Sequence, residues 1–118
     1  RLNITTDSSS YVMSDNSKLD ALINSKATHF DLYQSADATI EGDTNNGHLR
    51  LDNSSKFNGK MFSIQEAYLL IENNSDATLN ITKSLNLDAS GNTETYVYGE
   101  PKITLVKFSD TAKLQKKI

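Results

Sequence analysis

A single unit returns six times along this chain, and its return constrains the fold more than any other feature. The unit is apolar–x–apolar, usually followed by a polar or acidic residue and then a small polar cluster. In the first half it reads Leu2-Asn3-Ile4-Thr5-Thr6-Asp7-Ser8, Phe30-Asp31-Leu32-Tyr33-Gln34-Ser35-Ala36 and Leu49-Arg50-Leu51-Asp52-Asn53-Ser54-Ser55. It continues as Leu69-Leu70-Ile71-Glu72-Asn73-Asn74-Ser75, Leu85-Asn86-Leu87-Asp88-Ala89-Ser90-Gly91 and Ile103-Thr104-Leu105-Val106-Lys107-Phe108-Ser109. The first apolar positions lie 28, 19, 20, 16 and 18 residues apart. The last four steps are near-constant, and the first is long enough for an inserted loop or a partial extra turn. A second apolar beat follows each polar cluster, at Tyr11/Val12, Ala38/Ile40, Phe57, Ala77/Leu79/Ile81, Tyr96/Val97 and Ala112/Leu114.

Each unit thus reads strand, tight turn, strand, turn. Alternation of period two puts Leu85 and Leu87 on one face, with Asn86 and Asp88 on the other. One such unit cannot bury its own apolar face. Copies stacked along an axis can, and each backbone then pairs with its neighbours. The spacing predicts an all-β fold: a right-handed parallel β-helix, or solenoid, of short irregular coils, as one domain over residues 1–118. An antiparallel β-sandwich with Asn-rich loops is the competitor, and the preserved polarity of all six units disfavours it. The polar clusters are the corners, where Asn, Asp, Ser and Gly tolerate unusual backbone angles. Asn53 and Asn73 are expected to stack as a ladder that Ala89 interrupts. Between Asp15 and Ser25 the rhythm fails. Leu19, Leu22 and Ile23 fall at helical spacing after Ser17, which predicts a short helical turn inserted there.

Composition then removes whole classes of function. With 36% hydrophobic residues in 118, one Pro and five Gly, the chain is neither collagen-like nor a Pro-rich linker. A net charge of −3, with Lys113, Lys116 and Lys117 as its one basic cluster, argues against a nucleic-acid partner. The absence of cysteine removes disulfides, thiolate zinc sites and thiol catalysis together. No apolar run approaches membrane-spanning length. An opening of Arg1-Leu2-Asn3-Ile4, without Met, reads as a fragment or a mature form, the C-terminal part of a longer secreted protein.

The C-terminal third carries a resemblance. Leu85-Asn86-Leu87-Asp88-Ala89-Ser90-Gly91-Asn92, then Tyr96-Val97-Tyr98-Gly99-Glu100-Pro101-Lys102, then Ser109-Asp110-Thr111-Ala112-Lys113-Leu114-Gln115-Lys116-Lys117 resembles the end of the head GIN domain family, labelled an auto-transporter adhesin family. Its members close with a tyrosine-rich strand, a Tyr-Gly-x-Pro turn and a last coil ending in Lys-Lys. Tyr98-Gly99-Glu100-Pro101 carries the match, over about residues 49–118. Family corners are usually Gly-Ser-Gly, whereas these read Asn-Ser-Ser, Asn-Asn-Ser, Ala-Ser-Gly and Phe-Ser-Asp. The resemblance implies a right-handed β-helix-like fold, secretion, and a Bacteroidetes-type source, often as a lipoprotein. That places the chain outside the cytoplasm, in the periplasm, on the outer membrane or at the cell surface of a Gram-negative bacterium. It implies no reaction.

Candidate chemistry is sparse. Asp52, Glu72 and Asp88 fall at the same place in three successive units, which predicts an outward column of carboxylates about 5 Å apart. The sharp reading is a calcium site; the favoured one is a solvated acidic stripe. His29 and His48 stand 19 residues apart before two apolar starts and are expected to stack, a two-nitrogen metal candidate at most. Tyr96 and Tyr98 share a strand face opposite Val97, and Tyr33, Tyr68 and Phe108 lie near coil edges. Tyr96, Tyr98 and Tyr33 are the candidate surface-binding residues, since tyrosine gives contact area at low entropic cost; packing of Tyr96 and Tyr98 under the terminal cap is the favoured alternative. No catalytic residues, cofactor or enzyme activity is assigned. The Asn-x-Ser/Thr matches at Asn3, Asn53, Asn73 and Asn80 are what chance provides in an Asn/Ser/Thr-rich chain. The reading is a non-catalytic surface-binding or adhesin module, with glycan or surface protein as partner. A self-assembling envelope scaffold that forms homo-oligomers is the alternative, and a polysaccharide-active enzyme is third.

Overall fold

The computed structural model describes residues 2–109 and 111–117. Eight strands follow in order: β1 (Leu2–Met13), β2 (Lys18–Leu32), β3 (Asp37–Leu51), β4 (Lys56–Ile71), β5 (Asp76–Ala89), β6 (Glu94–Tyr98), β7 (Lys102–Phe108) and β8 (Lys113–Lys117). Every pairing is parallel. The order is β1-β2-β3-β4-β5-β6-β8, with β7 pairing β5 beside β6. The architecture is a parallel β-solenoid of about six turns, all-β, with no helix among the described residues.

Each coil has two arms because the chain changes direction in two chemically different ways. At the corner, four residues turn it sharply. The two in the middle take left-handed angles: Asp15 and Asn16 (φ 56 and 63), Gln34 and Ser35 (55 and 62), Asn53 and Ser54 (54 and 64), Asn73 and Asn74 (52 and 64). Short polar side chains bear this conformation at the lowest cost among non-glycine residues, which accounts for the Asn/Ser/Asp clusters. Corner backbones also bond coil to coil, as Ser35 N donates to Asn53 O and Ser54 N to Asn73 O, both at 2.9 Å. At the other end the chain only bends. Two consecutive residues point outward there, Lys26 and Ala27 in β2 and Asn45 and Asn46 in β3. The inward set therefore changes parity, from Ala21 and Ile23 to Thr28, Phe30 and Leu32.

Stacked inward rows make the core. Phe30, Leu49, Leu69 and Leu87 form one row; Leu32, Leu51, Ile71 and Ala89 form the next; all are fully buried. Phe30 meets Phe57 of the facing arm edge-on at 5.1 Å, joining the two arms across the interior. Glycine is required where an arm crosses a neighbouring carbonyl. A Cβ on Gly42 (φ +112) would lie 2.1 Å from Ile23 O, and one on Gly99 (φ +89) 2.4 Å from Ile81 O. Pro101, buried and without an N–H, then splits the last full coil into β6 and β7.

Three expectations are corrected, and a fourth is settled between its alternatives: the long first step holds a partial extra turn and not an inserted loop, because Leu2 pairs with Ala21 on one arm while Tyr11, on the other, is the row mate of Phe30. Asp15 to Ser25 holds no helical turn. Asp15 and Asn16 form a corner, and from Lys18 the chain is strand, because pairing with β1 and β3 outweighs a local helical spacing. Gly91 (φ 73), not Ala89, follows Asn53 and Asn73 in the corner row. Lastly, Leu87 rather than Leu85 is the row mate of Leu69. That two-residue slip dissolves the acidic column, as shown below. Asp110 of the last corner lies outside the described residues.

Candidate functional site

Outward side chains form rows as regular as the core's. On the second arm, between bend and corner, Ser10, His29, His48, Tyr68 and Asn86 occupy successive coils of one row. Its rings stack like coins: His29 on His48 with centroids 4.7 Å apart and planes 13° from parallel, His48 on Tyr68 at 5.1 Å and 9°. Two positions toward the bend runs a lower row of Ser8, Ala27, Asn46, Glu66 and Ser84. Between tall ring row and short row lies a groove of about 870 Å³ along the solenoid axis, floored by the chain at Ser9, Thr28, Gly47 and Ala67.

The floor is braced from within. Thr28 Oγ1 donates to Thr44 Oγ1 at 3.0 Å, Ser25 Oγ bonds Thr28 Oγ1, and Thr44 Oγ1 donates to the carbonyl of Asn46 at 3.3 Å. These hydroxyls satisfy one another at the bend of β2 and β3. Farther along, Ile64 and Ile81 fill the interior. The groove carries little charge. Burial, and then the neighbouring His29, push the His48 pKa below its usual value, with Asp31 opposing, which disfavours its charged form. Glu66 is the one carboxylate in the lining, and no lysine or arginine is among the lining residues.

The sequence-predicted candidates fall in three places. His29 and His48 do stack. Their parallel rings direct in-plane lone pairs side by side rather than to a common point. Tyr68 is the third member that sequence reasoning missed, although its distance of 20 from His48 matches the coil period. Asp52 and Glu72 both head a corner, but Ser90 holds that place in the next coil. Asp88 belongs to the row Asp31–Arg50–Leu70–Asp88–Lys107 instead. Asp52 accepts from Asn73 Nδ2 at 2.7 Å and faces Arg50 at 4.0 Å; Arg50 reaches Asp31 at 3.3 Å. Among the described residues no three His, Cys, Asp or Glu side chains are grouped to hold a metal ion. Tyr96 and Tyr98 share the outer face of β6, each under a lysine, Lys117 at 5.2 Å and Lys60 at 5.0 Å from the ring centroids. Tyr96 also donates its hydroxyl to Glu94, which raises the phenol's pKa. Tyr33 heads a corner and is not part of that pair.

The fold thus displays its outward side chains row by row along a parallel solenoid. The chain belongs to the family described as "Putative auto-transporter adhesin, head GIN domain", whose model matches residues 2–101. That match takes in the first coils, where the sequence resemblance was not drawn, and ends at Pro101, leaving β7 and β8 outside it. No curated protein and no solved structure matches the chain.

Proposed function

We propose that this chain is a non-catalytic binding module, an adhesin-type head working outside the cytoplasm of a Gram-negative bacterium. The observation that carries this reading is the groove and its rows. Five coils line it with polar and ring side chains at intervals of about 4.8 Å, which gives a partner a surface that needs no ordering on contact. The family description supports adhesion as the purpose. Against hydrolysis, Glu66 has no second carboxylate in the groove lining, whereas glycoside hydrolysis uses two. Among the described residues no helix is long and apolar enough to cross a membrane. The test is retention of the purified chain on arrays of glycans and surface proteins, with fractionation of cells carrying the native protein. Retention and an envelope location are expected; no retention on any surface polymer, or a purely cytoplasmic location, sinks the reading.

One observation favours self-assembly as a second reading. Leu105 and Phe108 continue the inward core rows onto β7, yet are 51% and 40% exposed, next to an exposed Val106. A second copy seated there would cover them, and mass that rises with concentration in light scattering is the expected sign. A strict monomer at high concentration excludes it.

A further inference from the structure

We propose that the groove over the second arms is the site of an uncharged, extended polysaccharide, lying along the solenoid axis against the ladder His29–His48–Tyr68. This deepens the binding-module reading and rests on it.

Three observations converge. First, the groove is periodic. Its polar groups recur once per coil, at the 4.7 and 5.1 Å separations of the stacked rings. An extended β-linked pyranose chain rises by close to one such spacing per sugar, so each sugar meets an equivalent set of groups. Second, stacking hides the ring faces and leaves the edges. Edges present imidazole nitrogens and a phenol oxygen, which serve both as donors and as acceptors for sugar hydroxyls. Across the groove Asn46 and the serines of the low row offer the same chemistry. Rings already held by their neighbours lose little freedom on binding. Third, the charge pattern selects against ions. With no lysine or arginine in the lining and Glu66 present, a uronate or sulfated polymer would meet a carboxylate and no counter-charge. The lysine nearest along the low row, Lys102, stands one coil beyond Ser84 and outside the lining. At about 870 Å³ the groove is within the range of roughly 300–1,000 Å³ usual for ligand sites.

The chain offers its own reporters. It has two histidines, and both line this groove. Cellohexaose, laminarihexaose and xylohexaose are titrated separately while the two imidazole C–H signals are followed by NMR, with polygalacturonate as the acidic counterpart. At least one uncharged oligomer is expected to move both signals, and polygalacturonate to move neither. Asn46→Phe fills the groove while leaving the three ladder residues in place and is expected to weaken binding about tenfold or more. Thr39→Ala, exposed on the opposite arm and outside the groove lining, should leave it unchanged. Thermal unfolding of each variant separates lost binding from lost fold. Oligomer binding that leaves the histidines unmoved and is indifferent to Asn46→Phe, or that fails in Thr39→Ala, overturns the groove while the binding-module reading stands. Stronger shifts with polygalacturonate or a surface protein overturn the uncharged-glycan assignment. Silence from all three oligomers overturns the proposal outright; failure of the broader reading would require silence from every surface polymer as well.

Discussion

The middle coils and the last one share a grammar but not an energy. In β3 to β5, inward Leu and Ile are sealed by coils above and below, and Leu49, Leu69 and Leu87 are fully buried. In the last coil the same rows arrive at Leu105 and Phe108 and remain half in solvent. There the strand is broken by Gly99 to Pro101, and Thr93 and Thr95 are buried with hydroxyls that have no partner. The difference teaches that in a solenoid an apolar residue contributes through its neighbours along the axis as much as through its own arm.

The largest effect expected from this contrast is in the leucine row. Leu69→Ala should cost about 2–5 kcal/mol by lost transfer energy and a cavity. Leu105→Ala, one end of the same row, should cost about 0.5 kcal/mol or less. Urea midpoints at constant m-value measure both, and equal costs would dissolve the contrast.

Backbone strain comes next. Gly42 is paired on both sides, with Ile23 in β2 and Phe62 in β4, so a Cβ driven into Ile23 O has nowhere to go. Gly42→Ala should cost about 1–3 kcal/mol. Gly99 sits where strand pairing stops and the chain can shift, so Gly99→Ala should cost less by the same assay.

Buried threonines should then differ in sign. Thr28 bonds Thr44 and Ser25, so Thr28→Val should destabilise by about 1 kcal/mol. Thr95 is 1% exposed and its hydroxyl has no partner, so Thr95→Val should stabilise by about 1 kcal/mol. A loss at Thr95 would mean that its hydroxyl has a partner in solution.

What the sequence made legible follows from parity. Equating Leu85 with Leu69 put one coil two residues out of phase. A shift of two leaves every residue on its proper face. Leu85 and Leu87 were therefore placed on the inner face, and Asn86 and Asp88 on the outer, as the structure has them. The same shift changes which residues share a row, so the column of Asp52, Glu72 and Asp88 was illusory. The ring ladder was half visible, because His29 and His48 are in phase. Tyr68 was placed near a coil edge but not joined to the pair, although the bulge near Gly59 moves it only one residue, to 20 after His48. Measured from corner to corner, starting at Ser14, Tyr33, Asp52, Glu72, Ser90 and Ser109, the intervals are 19, 19, 20, 18 and 19. Apolar starts blurred that period because both arms begin alike, whereas among the described residues consecutive left-handed pairs occur at corners alone.

The smallest effect lies in one outer row of the first arms, Lys18–Asp37–Lys56–Asp76–Glu94–Lys113. Charges alternate through the middle coils, and two carboxylates become neighbours where β5 meets β6. Burial first, then Glu94, raise the Asp76 pKa above its usual 3.8, with Lys56 opposing. A carboxyl whose folded value is raised holds its proton more readily folded than unfolded. Its charge is therefore a cost at neutral pH, relieved as pH falls through the raised value toward 3.8. Asp76→Asn should stabilise at pH 7 by at most about 0.5 kcal/mol, a gain that shrinks on acidification. Asp37→Asn, between two lysines, should destabilise by a similar amount. Urea midpoints of both variants from pH 7 downward check the pair. Two changes of the same sign would mean that alternation along the row contributes nothing, and that the middle and last coils differ only in what they bury.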